Sequence, residues 1–185
     1  MEDRRIRKTE QAVQAAFAKL LSEKRVEDIT VKKLCETADI NKSTFYLHYR
    51  DIYDCADRLR DTIVEDFSNI ISSYSFSELA ENFTAVMNDL KNLYYKNREI
   101  YIPFLKSPSL AFSSCKIKQM VIAKFLEKTK NQDAIDEIFT CSVSFVINGM
   151  LSLLEQYEVT RIAPETICAL TEKIQHGFLG GPEVH

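Results

Sequence analysis

The chain has 185 residues, a formal net charge of −3 at pH 7 and only four glycines. So few glycines fit a chain of helices joined by short connections. The five cysteines have no CxxC spacing and the three histidines are scattered, so no zinc site or redox motif is predicted. We expect the cysteines to be reduced core residues of a cytoplasmic protein.

A first amphipathic helix is predicted from about Arg4 to Ser22, and it begins with the basic cluster RRIRK. Residues 1–50 contain 11 Lys and Arg against 8 Asp and Glu, a net of +3, whereas residues 51–185 have a net of −6. A basic N-terminal part on an acidic body indicates that one end of the protein meets a polyanion. A tail that only improves solubility is the alternative for the basic cluster.

Two short helices joined by a tight turn are predicted within residues 30–50, TVKKLCETADINKSTFYLHYR. Thr30 and Asn41 suit the N-cap of the first and the second helix, because their side-chain oxygens can accept hydrogen bonds from the first helical turn. Asp39 follows the end of the first helix, where positive φ is often needed, and Asp tolerates this conformation. The segment therefore predicts a helix-turn-helix.

The second of these helices, from about Lys42 to Tyr49, combines an apolar inner face with a polar outer face. Phe45 and Tyr49 lie four residues apart and are expected to face inward. The outward side chains are Lys42, Ser43, Thr44, Tyr46, Leu47 and His48. Such donors and acceptors suit a helix that reads bases in the major groove. The alternative is the solvated face of an ordinary helical hairpin.

Residues 4–58 resemble the DNA-binding domain of the TetR family of transcriptional regulators. The resemblance lies in the apolar spacing of the first helix, the Thr that opens the second, and the run ADINKSTFYLHY. It implies DNA contacts by Thr30, Lys32, Lys42, Ser43, Thr44, Tyr46, Leu47 and His48. In this family the residues matching Tyr46 and His48 usually hold phosphates. The lysine that usually opens the fourth helix is Ile52 here, and we expect Arg50 to supply that charge.

The helices that follow are predicted from their apolar stripes and their ends. A long helix starts after Asp51 and keeps its stripe for six turns. The next helix is expected to start after Ser75, which has capping-box spacing to Glu78, and to run through Tyr94. A short helix near residues 98–105 is expected to be interrupted by its proline. No alternating strand pattern occurs, so the fold class is predicted to be all-α.

Two final helices are predicted, one from about Ala134 to Tyr157 and one that begins at Pro164. The first is apolar on most sides and should be buried on most sides, and Gly149 in its middle suggests close backbone approach. The resemblance implies that both helices pair with a second copy. The expected interface residues are Val146, Gly149, Met150, Leu153, Ile167, Leu170 and Ile174. A monomeric helical core is the alternative.

The resemblance also implies two domains with different functions. Residues 1–50 would form the DNA-binding domain, and residues 51–185 a regulatory and dimerisation domain with the long helix as connector. Aromatic and Met side chains in the body indicate an apolar or aromatic effector if they line a pocket. They are Tyr94, Tyr101, Phe104, Met120, Phe125 and Phe145. The alternative is that they form part of the core, as such side chains at helical spacing more often do.

We therefore expect a dimeric transcriptional repressor that binds palindromic double-stranded DNA and is released by a small molecule, with no metal or cofactor. A body that binds a partner protein instead of a metabolite is the alternative. An enzyme is disfavoured, because no phosphate loop, nucleophile elbow or paired carboxylates with a base occur. No uninterrupted apolar run reaches 18 residues and no signal peptide is recognised, so no membrane association is expected.

Overall fold

A computed structural model gives the structure of residues 4–107, 111–129 and 137–160, with the isolated residues Thr166 and Ala169. Within these ranges all regular elements are helical and no strand occurs. The predicted all-α class is therefore confirmed for the described part of the chain.

Nine α-helices follow one another, with one 3₁₀ turn at Val26–Asp28 after the first. They are α1 (Arg4–Glu23), α2 (Val31–Ala38), α3 (Lys42–His48), α4 (Ile52–Ile71), α5 (Phe76–Glu81), α6 (Phe83–Lys96), α7 (Arg98–Lys106), α8 (Ala111–Thr129) and α9 (Glu137–Thr160), all within the described ranges. The chain divides into two compact units, one of residues 1–64 with 94–117 and one of residues 65–93 with 118–185. The functional division at residue 51 stays a prediction.

The first unit is built around α1, which packs against α2 and α7, while α2 packs against α3. Phe17 of α1, Phe45 of α3 and Phe104 of α7 are 0%, 0% and 1% exposed. Burial of a phenylalanine side chain stabilises a fold by about 1.5–3 kcal/mol. Each of these three helices is thus held in the unit by a buried aromatic ring.

In the second unit, α5 packs against α9. Phe76 and Phe139 meet edge to face with ring centroids 5.1 Å apart. The predicted capping box is confirmed, because Ser75 accepts from the N–H of Glu78 and the Glu78 carboxylate accepts from the N–H of Ser75. This reciprocal pair fixes the start of α5.

The expected single helix from Ser75 to Tyr94 is wrong, because the chain leaves helical geometry at Asn82 (φ −107°, ψ 27°). Asn82 donates its N–H to the carbonyl of Glu78 and accepts from the N–H of Val86. One residue thus ends α5 and begins α6. Asn is suited to this place, because its side chain competes with helical hydrogen bonding.

The expected interruption at Pro103 is also wrong, since α7 continues through it to Lys106. A proline inside a helix removes one N–H, which here would have bonded to the carbonyl of Glu99. Glu99 is exposed, so water can satisfy that carbonyl. The helix extends only three residues beyond the proline.

The cysteines occupy two environments. Cys35 and Cys55 are buried, as expected, and burial raises the pKa of Cys55 to about 12. Cys115 on α8 and Cys141 on α9 are exposed, so the expectation of core positions is wrong for these two. Cys168 lies outside the described residues.

Helix α9 is the most apolar of the described helices. Its segment Glu137–Leu154 has a mean hydropathy of 1.6 over 18 residues, long and apolar enough to cross a membrane, and 28% of that segment is buried within the chain. A core helix of a soluble protein can meet the same criterion. The segment contains no uninterrupted apolar run of 18 residues, because polar residues are spread along it, and the sequence pattern therefore did not indicate it.

Candidate nucleic-acid interface

The two short helices of residues 30–50 have the ends that the sequence predicts. Thr30 Oγ1 accepts from the N–H of Lys33 at 3.2 Å, and Asn41 Oδ1 accepts from the N–H of Thr44 at 2.7 Å. Asp39 adopts the left-handed conformation (φ 53°, ψ 47°), the only positive φ among non-glycine residues of the described ranges. The predicted caps and the predicted turn conformation are confirmed, so the relative direction of α2 and α3 is fixed by local interactions.

The inner face of α3 is anchored as predicted. Phe45 and Tyr49 are 0% and 3% exposed, and their rings stack with centroids 5.4 Å apart. The guanidinium carbon of Arg58, on α4, lies 5.3 Å from the centroid of the Tyr49 ring, within the range of a cation–π interaction. Burial raises the pKa of Tyr49 well above its usual range, so this phenol resists deprotonation in alkaline solution. The orientation of α3 is thereby fixed.

The outer face of α3 is largely in solvent. Lys42 and Ser43 are exposed, and Tyr46 and Leu47 are 57% and 83% exposed. Thr44 is half-buried. Ser43 donates its hydroxyl hydrogen to Asn41 Oδ1 at 2.7 Å, so this hydroxyl supports the cap while its oxygen can still accept a further hydrogen bond.

His48 departs from its expected outward position. Its side chain is only 13% exposed, and its Nδ1 lies 3.8 Å from Glu10 Oε1 of α1. His48 follows the buried Phe45 by three residues, which brings it to the side of α3 next to the core. With Nδ1 facing a carboxylate, Nε2 is the ring nitrogen that can serve another partner.

The start of α4 carries a small charged network. Asp54 Oδ1 lies 3.3 Å from Nη2 of Arg50, and Asp54 Oδ2 lies 3.7 Å from Nε of Arg58. The backbone N–H of Arg50 also donates to Asp54, and this hydrogen bond is the main cause of the lowered pKa of Asp54. Asp51 caps α4 by accepting from the N–H of Asp54 at 2.8 Å. The Arg50 side chain is 86% exposed, so its remaining donors stay accessible.

The first turns of α2 and α3 carry lysines where helices usually carry acids. No acidic residue lies in either first turn, and Lys32, Lys33 and Lys42 are all exposed. The N-terminus of a helix has a partial positive charge, so a lysine there is electrostatically unfavourable for the isolated helix. The same arrangement is favourable when an anion such as a phosphate binds at that end.

Sequence analysis missed Tyr53, whose side chain is 57% exposed at the start of α4. Four large hydrophobic side chains are exposed in the described part of the first unit, and Tyr46, Leu47 and Tyr53 are three of them. Ile52 and Cys55 belong to the apolar stripe of α4, and Tyr53 lies beside that stripe. Helical periodicity could therefore have identified Tyr53 as an outward-facing residue.

The residues expected to bind an effector do not form one described site. Tyr94, Tyr101 and Phe104 belong to the first unit and are at most 4% exposed. Met120, Phe125 and Phe145 belong to the second unit. Phe125 is 1% exposed, whereas Phe145 is 70% exposed on α9. None of the six lines either of two surface clefts, of about 870 Å³ and 480 Å³, described in this structure.

The expected interface residues also differ in exposure. Met150 is fully buried in its own unit, Val146 and Leu153 are half-buried, and Gly149 is exposed. Ile167, Leu170 and Ile174 lie outside the described residues. A stripe runs along the exposed side of α9 and consists of Ile138, Cys141, Phe145 and Gly149. We call it the α9 stripe. Of these four residues, sequence analysis assigned only Gly149 to the interface.

No protein-family model matches the chain, and no curated protein matches it either. Among the described residues, no group of three or more His, Cys, Asp or Glu side chains is placed to hold a metal ion.

Proposed function

We propose that the protein binds double-stranded DNA in a sequence-specific manner through α2 and α3. The observation that carries the proposal is the pair of lysine-bearing first turns on two adjacent helices. Lys32 and Lys42 bring positive charge to helix ends that already favour anions. The Thr30 hydroxyl, whose oxygen accepts from the N–H of Lys33, can still donate its hydrogen there. A DNA backbone supplies phosphates at regular spacing, so one duplex can place a phosphate at the N-terminus of α2 and another at the N-terminus of α3.

Within this proposal, α3 is the helix that reads bases. Its exposed Lys42 and half-buried Thr44 lie in its first turn, which is the part of a recognition helix that contacts base edges. The Tyr46 hydroxyl donates to a phosphate, and Nε2 of His48 does so when the imidazole is doubly protonated, because Nδ1 faces the Glu10 carboxylate. These contacts set the register of the helix on the duplex. Arg50, whose side chain is 86% exposed, adds a phosphate contact. In the TetR family, which the chain resembles, a lysine two residues later, at the position of Ile52, usually makes this contact.

The more specific proposal is a TetR-like, one-component regulator that acts as a dimeric repressor released by a small molecule. Dimerisation through the α9 stripe would cover the apolar surface that α9 leaves exposed, including Ile138 at 76% and Phe145 at 70%. A two-fold dimer presents two copies of α3, which predicts a palindromic site with half-sites separated by whole helical turns.

The experiment is a selection of bound genomic fragments, followed by fluorescence anisotropy on the recovered duplex. Lys42→Ala and Thr44→Ala should weaken binding and change the sequence preference, whereas Tyr46→Phe and His48→Ala should weaken binding to all sequences. Removal of a lysine–phosphate contact should reduce the slope of log K against log salt concentration by about one, where K is the DNA-binding constant. Lys124→Ala, an exposed lysine of α8 in the second unit, is the matched control.

Unchanged affinity in all four α3 variants would contradict α3 as the reading helix. Recovery of no fragment above background would contradict DNA binding altogether. If the wild-type protein binds DNA but sediments as a monomer, the dimer hypothesis is contradicted. The alternative hypothesis, in which the α9 stripe binds a partner protein, then takes its place.

A further inference from the structure

The larger of the two clefts lies within the first unit and is unused by the proposed function. It has a volume of about 870 Å³ and is bounded by α1, the last turn of α2, and the connection from α6 to α7. Sites for small molecules in proteins have volumes of about 300–1,000 Å³. The cleft is therefore large enough for a metabolite.

The rim of the cleft is positively charged. Lys19, Lys96 and Arg98 line it against one acid, Glu99. The three cations are exposed, and none forms an ion pair with a described residue. Cations of the same sign gathered around a concave surface raise the local concentration of anions.

The cations near α7 are held on a fixed turn. The carbonyl of Asn97 accepts from the N–H groups of Ile100 and Tyr101, both at 2.9 Å. The Tyr94 and Tyr101 rings on either side of the turn meet with centroids 6.5 Å apart. Arg98 is the first residue of α7, so the partial positive charge of the helix N-terminus adds to its guanidinium charge.

The rest of the cleft is largely apolar. Four alanines line it, together with Ile100, Pro103 and the ring of Tyr95. Alanines leave room between α1 and α7, and this room suits an apolar or aromatic group more than a hydrated one. A planar guanidinium matches a carboxylate in a bidentate manner.

We infer that this cleft binds a small amphipathic carboxylate, with the acid on Arg98 and Lys96 and the apolar part against α1. The site is distinct from the aromatic residues first expected to bind an effector. Because Thr37 and Ala38 of α2 also line the cleft, the ligand contacts the helix that precedes the turn to α3. Through this contact the ligand changes DNA affinity, and this second step rests on the proposed function.

The test compares 4-phenylbutyrate with its neutral amide, 4-phenylbutyramide, by isothermal titration of the full chain. The wild-type protein should bind the acid at least about tenfold more tightly than the amide, as one charge-assisted contact provides. Arg98→Gln and Lys96→Gln should remove this preference. Lys116→Gln, an exposed lysine of the same unit that does not line the cleft, should keep it.

A second pair of variants locates the apolar part. Ala15 lines the cleft and is exposed, so Ala15→Leu can fill the space without disturbing the core and should weaken both compounds. Ala123→Leu, at an exposed position on α8 that does not line the cleft, should change neither affinity. Equal affinity for acid and amide, absence of acid binding up to roughly 10 mM, or full binding by Ala15→Leu would overturn the site.

The coupling to DNA is measured separately, by titrating the acid with and without the recovered duplex. Linkage requires that the acid change DNA affinity by the same factor as DNA changes the affinity for the acid. Selective acid binding without this reciprocal change would overturn the coupling and leave the site intact. A protein that binds the acid selectively but no DNA would contradict the proposed function alone.

Discussion

Asn41 allows the stability of α3 to be separated from its proposed contact with DNA. Its Oδ1 accepts from the N–H of Thr44 and from the hydroxyl of Ser43, both at 2.7 Å, and the residue is exposed. Replacing an N-cap by Ala costs about 0.5–2 kcal/mol. Because water can replace both bonds at an exposed site, we expect Asn41→Ala to lose about 1 kcal/mol, or about 2–4 °C in melting temperature.

Asn41→Asp keeps the acceptor and adds a negative charge at the helix N-terminus. Asp caps as well as Asn, and its charge is worth a further 0.3–1 kcal/mol or so there. Stability should therefore equal or exceed that of the wild-type protein. DNA binding should nevertheless weaken by about tenfold, since a carboxylate beside a phosphate costs roughly 1 kcal/mol in water and more where water is excluded.

The assays are urea unfolding followed by circular dichroism and fluorescence anisotropy on the recovered duplex. We expect Asn41→Ala to be the less stable variant. Asn41→Asp should be the more stable variant, yet it should lose DNA affinity. If Asn41→Asp bound DNA as tightly as the wild-type protein, the N-terminus of α3 would not face a phosphate. If it lost stability, the capping account would be wrong.

Three further predictions concern the fold. Asp39→Gly should raise the free energy of unfolding by about 0.5–1 kcal/mol in urea titration, because glycine adopts positive φ without steric cost. Gly149→Arg should shift the sedimenting species from dimer to the 21.3 kDa monomer. The control Gly149→Ala should keep the fold, because the added methyl group meets nothing within 4 Å in its own chain. Wild-type protein that sediments as a monomer at micromolar concentration would contradict the dimer. The folded protein keeps the Cys55 and Tyr49 protons that an unfolded chain loses above about pH 8.5 and pH 10. Stability should therefore fall as pH rises through this range, and Tyr49→Phe should flatten the fall above about pH 10, with an unchanged slope as the contrary result.

Features set by neighbouring residues were predictable from the sequence. Thr30, Asn41 and the Ser75–Glu78 pair form caps within a few residues of themselves, so their side-chain chemistry determines the outcome. Asp39 belongs to the same group, because few non-glycine residues tolerate positive φ. The inward direction of Phe45 followed from helical periodicity alone.

Features set by tertiary packing were not predictable in this way. The approach of His48 Nδ1 to Glu10 Oε1 depends on where α1 lies relative to α3, and no local pattern reports that distance. The break at Asn82 falls inside an apolar stripe with no Gly or Pro to mark it. The cleft brings residues near position 15 together with residues near position 98, and each group alone looks like an ordinary helix surface.

The packing of α1 against α7 also affects how the chain folds during synthesis. Roughly 75 residues separate the end of α1 from the start of α7, and translation at about 5–20 residues per second takes roughly 4–15 seconds to cover them. Throughout this interval the apolar side of α1 lacks its later partner. A nascent chain of residues 1–64 is therefore a candidate for chaperone binding, and a chimera that transplants this segment onto another body must carry residues 94–107 with it.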